Sequence, residues 1–292
     1  MVKDLIIGGA SNYTWAQLKN WINSIKACGF LGDVVITTTS MSSETIKKLN
    51  SENIQLLLIG ELDSQGNLRS NNQLAPHVER FLHIYHYLNS ITTNYRYVIT
   101  TDTRDVIFQS NPSNWLENNL GESKLICASE GLRYKDEPWS NNNLQEAFGE
   151  YCYNIYKNEI IYNVGTIAGE FKYLKDLLFI LFQMSINRPI PIVDQAVFNI
   201  LINNEPYKSI IYKSTHKDAW AVQLGTTSEA VLAGSGDIGI KVKQQPGLYN
   251  KYKSDYLESP IIIYDNKVLN HEKIPFVIVH QYDRIPSLAR VI

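Results

Sequence analysis

Apolar and polar positions follow two different rhythms along this chain. Short apolar runs rich in β-branched residues, DLIIGG, DVVITT, IQLLLIG and RYVITTD, read as strands. The stretches between them have helical spacing. WAQLKNWINSIKACG places Trp15, Leu18, Trp21, Ile22 and Ile25 on one face, with Gly29 near its end. SSETIKKLN is a short helix that Ser42 or Ser43 could cap. APHVERFLHIYHYLNS puts Val78, Leu82, Tyr85 and Leu88 on one face. This order predicts an α/β fold, Rossmann-like, with a mostly parallel central sheet flanked by helices. RYVITTD is then an interior strand whose carboxyl end faces the ligand crevice.

The pattern continues with KLICASE as a strand and LQEAFGEYCYNIY, EFKYLKDLLFILFQMSI and VDQAVFNILINN as helices. From Tyr207 it changes. IIYKS, GIKVKQ, PIIIYDN and PFVIVHQY read as short strands separated by turns, so a small β subregion is expected late in the chain. There is no internal repeat, low-complexity segment or clear linker, and residues 1–292 are expected to form one domain. Within it three parts are distinguished, 1–110, 111–206 and 207–292.

Composition narrows the function classes. A net charge of -2 over 292 residues gives no reason to expect a nucleic-acid partner. The three cysteines, Cys28, Cys127 and Cys152, match no zinc spacing and read as reduced, buried thiols, which favours the cytoplasm. MVKDLIIGGA enters a strand directly and shows no signal-peptide pattern. The most apolar run, Leu177 to Met184, is too short to span a bilayer, so any membrane contact would be peripheral. Oligomeric state is not legible.

Candidate chemistry concentrates in VITTDTRDVIFQSNP, residues 98–112. An apolar strand ends in Asp102, Arg104 and Asp105, and apolar residues resume at Val106. A surface salt-bridge cluster or a turn cap would be the plain structural account. The apolar flanks argue against both. Two carboxylates brought together at the end of a central strand repel unless a cation sits between them. Mg²⁺ and Mn²⁺ accept such oxygen ligands and complete their shells with water and substrate phosphates.

With these residues the chain resembles glycosyltransferases of the A-type fold (GT-A), which use nucleotide-sugar donors and carry an Asp-x-Asp signature at the end of a central strand. Here the form is Asp102-Thr103-Arg104-Asp105, one residue longer. The motif order is similar to that of the retaining family that includes glycogenin and lipopolysaccharide galactosyltransferases. NVGTIAGE, with Asn163, Gly165 and Gly169, is similar to its Asn-x-Gly segment beside the donor sugar. VDQAVFN, with Asp194, Gln195 and Asn199, resembles its Asp-Gln element near the reacting carbon. FVIVHQYDR places His280 where that family has its late metal-ligating histidine, although HQYDRIP stands in place of the usual Lys-Pro-Trp.

The resemblance implies a metal-dependent glycosyltransferase with a glycan or other hydroxyl acceptor, leaning to retention, in which 1–110 would be the nucleotide-binding half, 111–206 the donor-sugar and catalytic part, and 207–292 the β-rich acceptor side with a last metal-site strand. Mn²⁺ or Mg²⁺ would be held by Asp102, Asp105 and His280. The donor would be a UDP-sugar, with a GDP-sugar as alternative. Asp194, Gln195, Asn163 and Arg104 would be catalytic. Gly8, Gly9, Ala10, Tyr13, Arg80, Asp102 and Gly165 would bind the donor, with Asn72 in reach of the same crevice. Arg104 or Arg284 could add positive charge, and an inverting enzyme would need Asp194 or Glu130 as base. Each residue also has a structural reading: His280 as a core histidine, Asn163 and Gly165 as a turn, Asp194 as a helix cap, Asp283 and Arg284 as a surface pair. The alternative functions are a metal-dependent phosphohydrolase or nucleotidyltransferase, or an idle sugar- or nucleotide-binding module.

Two further patterns are set aside. AGSGDIG satisfies G-x-G-x-x-G, but GIKVKQ after it alternates like a strand, so a hairpin or loop is expected. His77, His83 and His86 lie on one helix and read as solvated.

Overall fold

The structure is a computed structural model that describes residues 3–71 and 74–292; Asn72 lies outside them. The first half alternates as expected: β1 (Leu5–Gly9), α1 (Trp15–Ala27), β2 (Asp33–Thr38), α2 (Ser43–Ser51) and β3 (Gln55–Leu58). A small hairpin of β4 (Glu61–Leu62) and β5 (Leu68–Arg69) precedes α3 (Pro76–Ser90) and β6 (Tyr97–Thr101). Then come β7 (Val106–Phe108), α4 (Pro112–Asn119), β8 (Leu125–Arg133), α5 (Pro138–Tyr156), β9 (Ile160–Glu170), α6 (Phe171–Ser185) and α7 (Asp194–Ile202).

The main sheet has the order β10-β8-β9-β6-β1-β2-β3, where β10 spans Ile211–Ser214 after the short α8 (Tyr207–Ile210). Its neighbours pair in parallel except β9, which runs antiparallel to both β6 and β8. Strand β6 is therefore central, and the segment after it opens at the carboxyl edge. Alternation on β1 sorts its side chains to two cores. Leu5 and Ile7 join Phe81, Leu178 and Phe198 under α3, α6 and α7, while Ile6 joins Trp21, Ile22 and Trp220 under α1.

Asp4 locks the opposite end of the sheet. Buried just before β1, its carboxylate accepts from Arg96 Nε at 3.2 Å, Arg96 Nη2 at 2.9 Å and the Tyr97 backbone N–H at 3.1 Å.

After β10 the chain forms β11 (Ala221–Gln223), α9 (Ser228–Leu232), α10 (Gly236–Gln244), α11 (Leu248–Asp255), β12 (Ile262–Tyr264), β13 (Lys267–Leu269), β14 (Ile278–His280) and α12 (Pro286–Ala289). Strand β14 runs parallel to β11 and antiparallel to β7, with His280 opposite both Gln223 and Val106. Gln109, just past β7, ties the hairpin of β12 and β13 to this sheet: its amide donates to the carbonyls of Val268 and Phe276 and accepts from the Val268 N–H.

Several expectations are corrected here. GIKVKQ is helical: Gly234 and Gly236 have φ of 77° and 67° and turn the chain into α10, whose buried residues, Gly239 and Val242, are three apart. The late region is thus mixed α/β rather than β alone. The face of α3 is rotated. Val78, Phe81, Ile84, Tyr87 and Leu88 are buried, while Leu82 and Tyr85 are half-buried, Tyr85 stacking on Phe179 with ring centroids 4.5 Å apart. Apolar residues nearly encircle this helix, so spacing alone does not choose its face. Asn163 and Gly165 lie inside β9, not in a turn. Of the three unpaired cysteines only Cys127 is buried.

Asp4→Ala removes three hydrogen bonds at once and leaves Arg96 with Glu117 as its ion-pair partner. The expected loss is about 2 kcal/mol of unfolding free energy, read as a lower urea midpoint; an unchanged midpoint would refute this role for Asp4.

Candidate active site

The linker between β6 and β7 carries Asp102-Thr103-Arg104-Asp105. Thr103 is buried: its Oγ1 donates to the Gly9 carbonyl at 3.0 Å, and a Cβ on Gly8 would lie 2.4 Å from its Cγ2. Tucking this extra residue over β1 turns both carboxylates to one side. His280 reaches them from β14. One ligand atom each from Asp102, Asp105 and His280 lie within 4.8 Å of one another. His280 Nε2 is 3.3 Å from Asp102 Oδ2 and 3.6 Å from Asp105 Oδ1.

The imidazole is oriented from behind. His280 Nδ1 lies 2.6 Å from Gln223 Oε1, and the Gln223 amide donates to Thr166 Oγ1 at 3.0 Å. A carbonyl oxygen can only accept, so Nδ1 carries a proton. Nε2 then points at two carboxylates and needs either a proton or a metal ion. Burial alone would lower the His280 pKa, but Asp105 and Asp102 overcome it and raise it. This donor set of two carboxylates and an oriented imidazole fits a divalent ion.

Asp102 has a second cationic neighbour. Its other oxygen contacts Arg80 Nη1, while Arg80 Nη2 donates to Asp194 Oδ2 at 3.1 Å. Burial would raise the Asp102 carboxyl, but Arg80 and His280 hold it well below the usual range. Asp194 is raised, by burial that Arg80 only partly offsets. It is the first residue of α7, with Val193 at the cap position; its carboxylate serves Arg80 and does not cap the helix. Gly165 lies against the group: a Cβ there would sit 2.7 Å from His280 Cε1 and 2.8 Å from Asp102 Oδ2. Only glycine fits.

A cleft of two lobes meets at this cluster. The first, about 430 Å³, lies at the carboxyl ends of β1 and β2 and is lined by Gly9, Ala10, Tyr13, Thr37 and Arg104 among others. The second, about 460 Å³, is lined by Glu130, Asn163, Gly165, Asp194 and Gln195. His77, Arg80, Asp102, His280, Gln281 and Arg284 line both and form the waist. Gly8 is set back from the wall, where its missing Cβ makes room for Thr103. Arg104 is partly exposed, 3.5 Å from Asp105 Oδ2 and from Asp283 Oδ2; Arg284 lies 3.8 Å from Asp283 Oδ1, the expected pair.

In the second lobe Asn163 Nδ2 donates to Glu130 Oε1 at 2.7 Å and reaches Gln195 Oε1 at 3.3 Å. Burial pushes the Glu130 carboxyl up to about 7. Asn199 has a structural role: it bonds both backbone groups of Tyr162 and fixes α7 against β9. His83 is not solvated as expected but half-buried, with Nε2 at 2.5 Å from Glu79 Oε1. Gln223, Gln281, Thr103 and His77 were not legible as site residues. Gln223, Gln281 and His77 hold no motif position and Thr103 fills a variable one inside Asp-x-x-Asp, and only the pairing of β14 with β7 and β11 brings Gln223 and Gln281 to the waist.

No protein-family model and no curated protein matches the sequence. The fold does match solved structures. The apo structure of the WbbM bifunctional glycosyltransferase is similar with a TM-score of 0.54 and 12% identity, over 96% of this chain and 45% of that one. The apo form of the glycosyltransferase GlyE from Streptococcus pneumoniae TIGR4 is similar with a TM-score of 0.50 and 13% identity, over 96% of this chain and 55% of that one. The chain spans about half the length of these proteins. The expected α/β architecture, with its mostly parallel sheet between helices, is the fold of these glycosyltransferases.

Glu130 yields a pH prediction. Its carboxyl sits at about 7 in the folded state against an ordinary 4.5, so the folded state prefers it neutral. The cost of ionising it is absent below pH about 4, grows as pH rises and is complete above pH about 7, reaching about 3 kcal/mol. Glu130→Gln should therefore be more stable than the parent at pH 8, with the gap closing toward pH 4 in chemical denaturation. A gap independent of pH would contradict the assignment.

Proposed function

We propose that this protein is a metal-dependent glycosyltransferase that moves a sugar from a nucleoside diphosphate sugar to a hydroxyl acceptor with retention of configuration. The observation that carries this is the Asp102, Asp105 and His280 cluster at the waist of a two-lobed cleft, at the carboxyl edge of a sheet whose fold is shared with glycosyltransferases. The first lobe would take the nucleotide, with Tyr13 and the backbone of Gly9 and Ala10 on its wall. A UDP-sugar is favoured and a GDP-sugar is the alternative.

Asp102, Asp105 and His280 would hold Mn²⁺ or Mg²⁺, which when bound supplies Lewis-acid stabilisation of charge on a leaving diphosphate. Arg104 and Arg284 stand beside the waist and would add positive charge to the same leaving group. Asn163 and Gln195 face the second lobe with their amides and would orient the donor sugar. The motif order supports retention: Asp194, buried and paired to Arg80, would lie under the donor sugar and stabilise positive character there. A glycan or other hydroxyl acceptor would enter through the second lobe. No described helix is long and apolar enough to cross a membrane. The unpaired thiols support a reducing, cytoplasmic setting.

Thermal unfolding with UDP, GDP and their sugar conjugates, with and without Mn²⁺, tests this. One nucleotide should stabilise the protein in a Mn²⁺-dependent way, by about 2.7 kcal/mol at a hundredfold excess over its dissociation constant. Asp105→Asn should lose that shift and about a hundredfold or more of transfer, while its circular dichroism stays unchanged. Wild-type-like transfer by Asp105→Asn would sink the metal site, and release of phosphate without sugar transfer would point to a hydrolase instead.

Metal binding should also weaken as pH falls. The raised His280 pKa means that its Nε2 proton must leave before the nitrogen can ligate, so Mn²⁺ affinity should rise with pH until that group is neutral. Calorimetry at several pH values reads this directly, and a flat profile would argue against His280 as a ligand.

A further inference from the structure

The two lobes differ sharply in charge. Every basic side chain on the wall of the second lobe, His77, Arg80, His280 and Arg284, also lines the first and so belongs to the waist. The residues that the second lobe has to itself include Glu130, Glu137, Asp194 and Asp237, and among those described there is no Lys, Arg or His. Its far end is acidic. Glu137 closes α5 from the cap position, its carboxylate accepting from the Trp139 and Ser140 backbone N–H groups at 3.3 and 2.6 Å. The helix end that could attract an anion is therefore already satisfied from within. Asp237 stands in the first turn of α10, close enough to help raise the Glu137 carboxyl beyond what burial does.

The same end carries an exposed aromatic surface. Trp139 is 39% exposed and Ile192 38%, whereas Trp21 and Trp220 are completely buried. Ile238 on α10 lines the lobe as well. A tryptophan ring left open beside carboxylates suits a ligand with one apolar ring face and a hydroxyl-bearing edge: the C–H face packs on the ring and the hydroxyls donate to carboxylate oxygens.

We propose that the second lobe binds an uncharged sugar ring against Trp139 as the acceptor and excludes acceptors that bear phosphate or carboxylate groups near the reacting ring. Exclusion follows from the lining: among the described residues no cation beyond the waist could pair with an anion desolvated there, and the acidic side chains offer it no compensating charge. The proposal rests on the glycosyltransferase reading for the word acceptor, but the binding itself is testable without transfer.

The test is saturation-transfer NMR on the full chain with Mn²⁺ and UDP, using the methyl glycosides of glucose, galactose, mannose and N-acetylglucosamine. Glucose 6-phosphate and galacturonate are the charged counterparts. At least one neutral glycoside should bind and both anions should not. Trp139→Ala should weaken that binding about tenfold or more, and Trp139→Phe should restore most of it. Asp237→Lys should let glucose 6-phosphate bind. Circular dichroism checks the fold of each variant. Anions that bind as well as neutral sugars, or binding unchanged in Trp139→Ala, overturn the proposal. UDP binding with no sugar binding overturns it too and leaves the transferase reading standing. Sugar binding at Trp139 without UDP binding or cleavage of any nucleotide-sugar would instead overturn the transferase reading and leave a neutral-sugar lobe.

Discussion

A carboxylate at the end of a buried strand needs positive charge beside it, and Asp102 has it on both sides. One oxygen contacts the Arg80 guanidinium and the other lies 3.3 Å from His280 Nε2. Two like charges about 4 Å apart cost about 4 kcal/mol near a protein surface, so Asp102 and Asp105 could not share this crevice unassisted. The pairing also has architectural reach. Arg80 comes from α3, Asp194 from α7 and His280 from β14. Through one carboxylate, elements separated by almost two hundred residues are fixed around one point.

Much of the surrounding detail follows from that constraint. Gly165 has no side chain because the space of its Cβ is taken by His280 and Asp102. Gly8 is bare because Thr103 must tuck over β1 for both aspartates to face the same way. Gln223 and Thr166 hold the imidazole in the tautomer whose free nitrogen faces the carboxylates. None of these residues need touch a ligand, yet each limits where the carboxylates can be.

What was legible in the sequence divides along physical lines. The parallel half of the sheet was readable because its strands are short, β-branched and bounded by turns. The carboxylate pair was readable because apolar flanks made a charged linker conspicuous. GIKVKQ misled because I-K-V-K alternates with period two, while the glycines before it start a helix whose inward residues are three apart. Asn163 and Gly165 sit inside β9 because that strand is antiparallel between β6 and β8, a sheet order that local pattern does not encode. Gln223 carries no motif at all. Its importance is a matter of register, since β11 pairs with β14 so that Gln223 stands opposite His280.

The waist also joins the proton chemistry of the two lobes. Glu130 is raised by burial to about 7, and the charge on His280 is one of the influences that hold it down. His280 in turn is raised by the two aspartates and, more weakly, by Glu130. Positive charge at the waist therefore favours the ionised form of Glu130, and neutralising His280 favours its protonated form. By linkage, any cation that replaces the Nε2 proton must act on the second lobe through the same field. Glu130 thus responds to the charge on the cluster between the lobes.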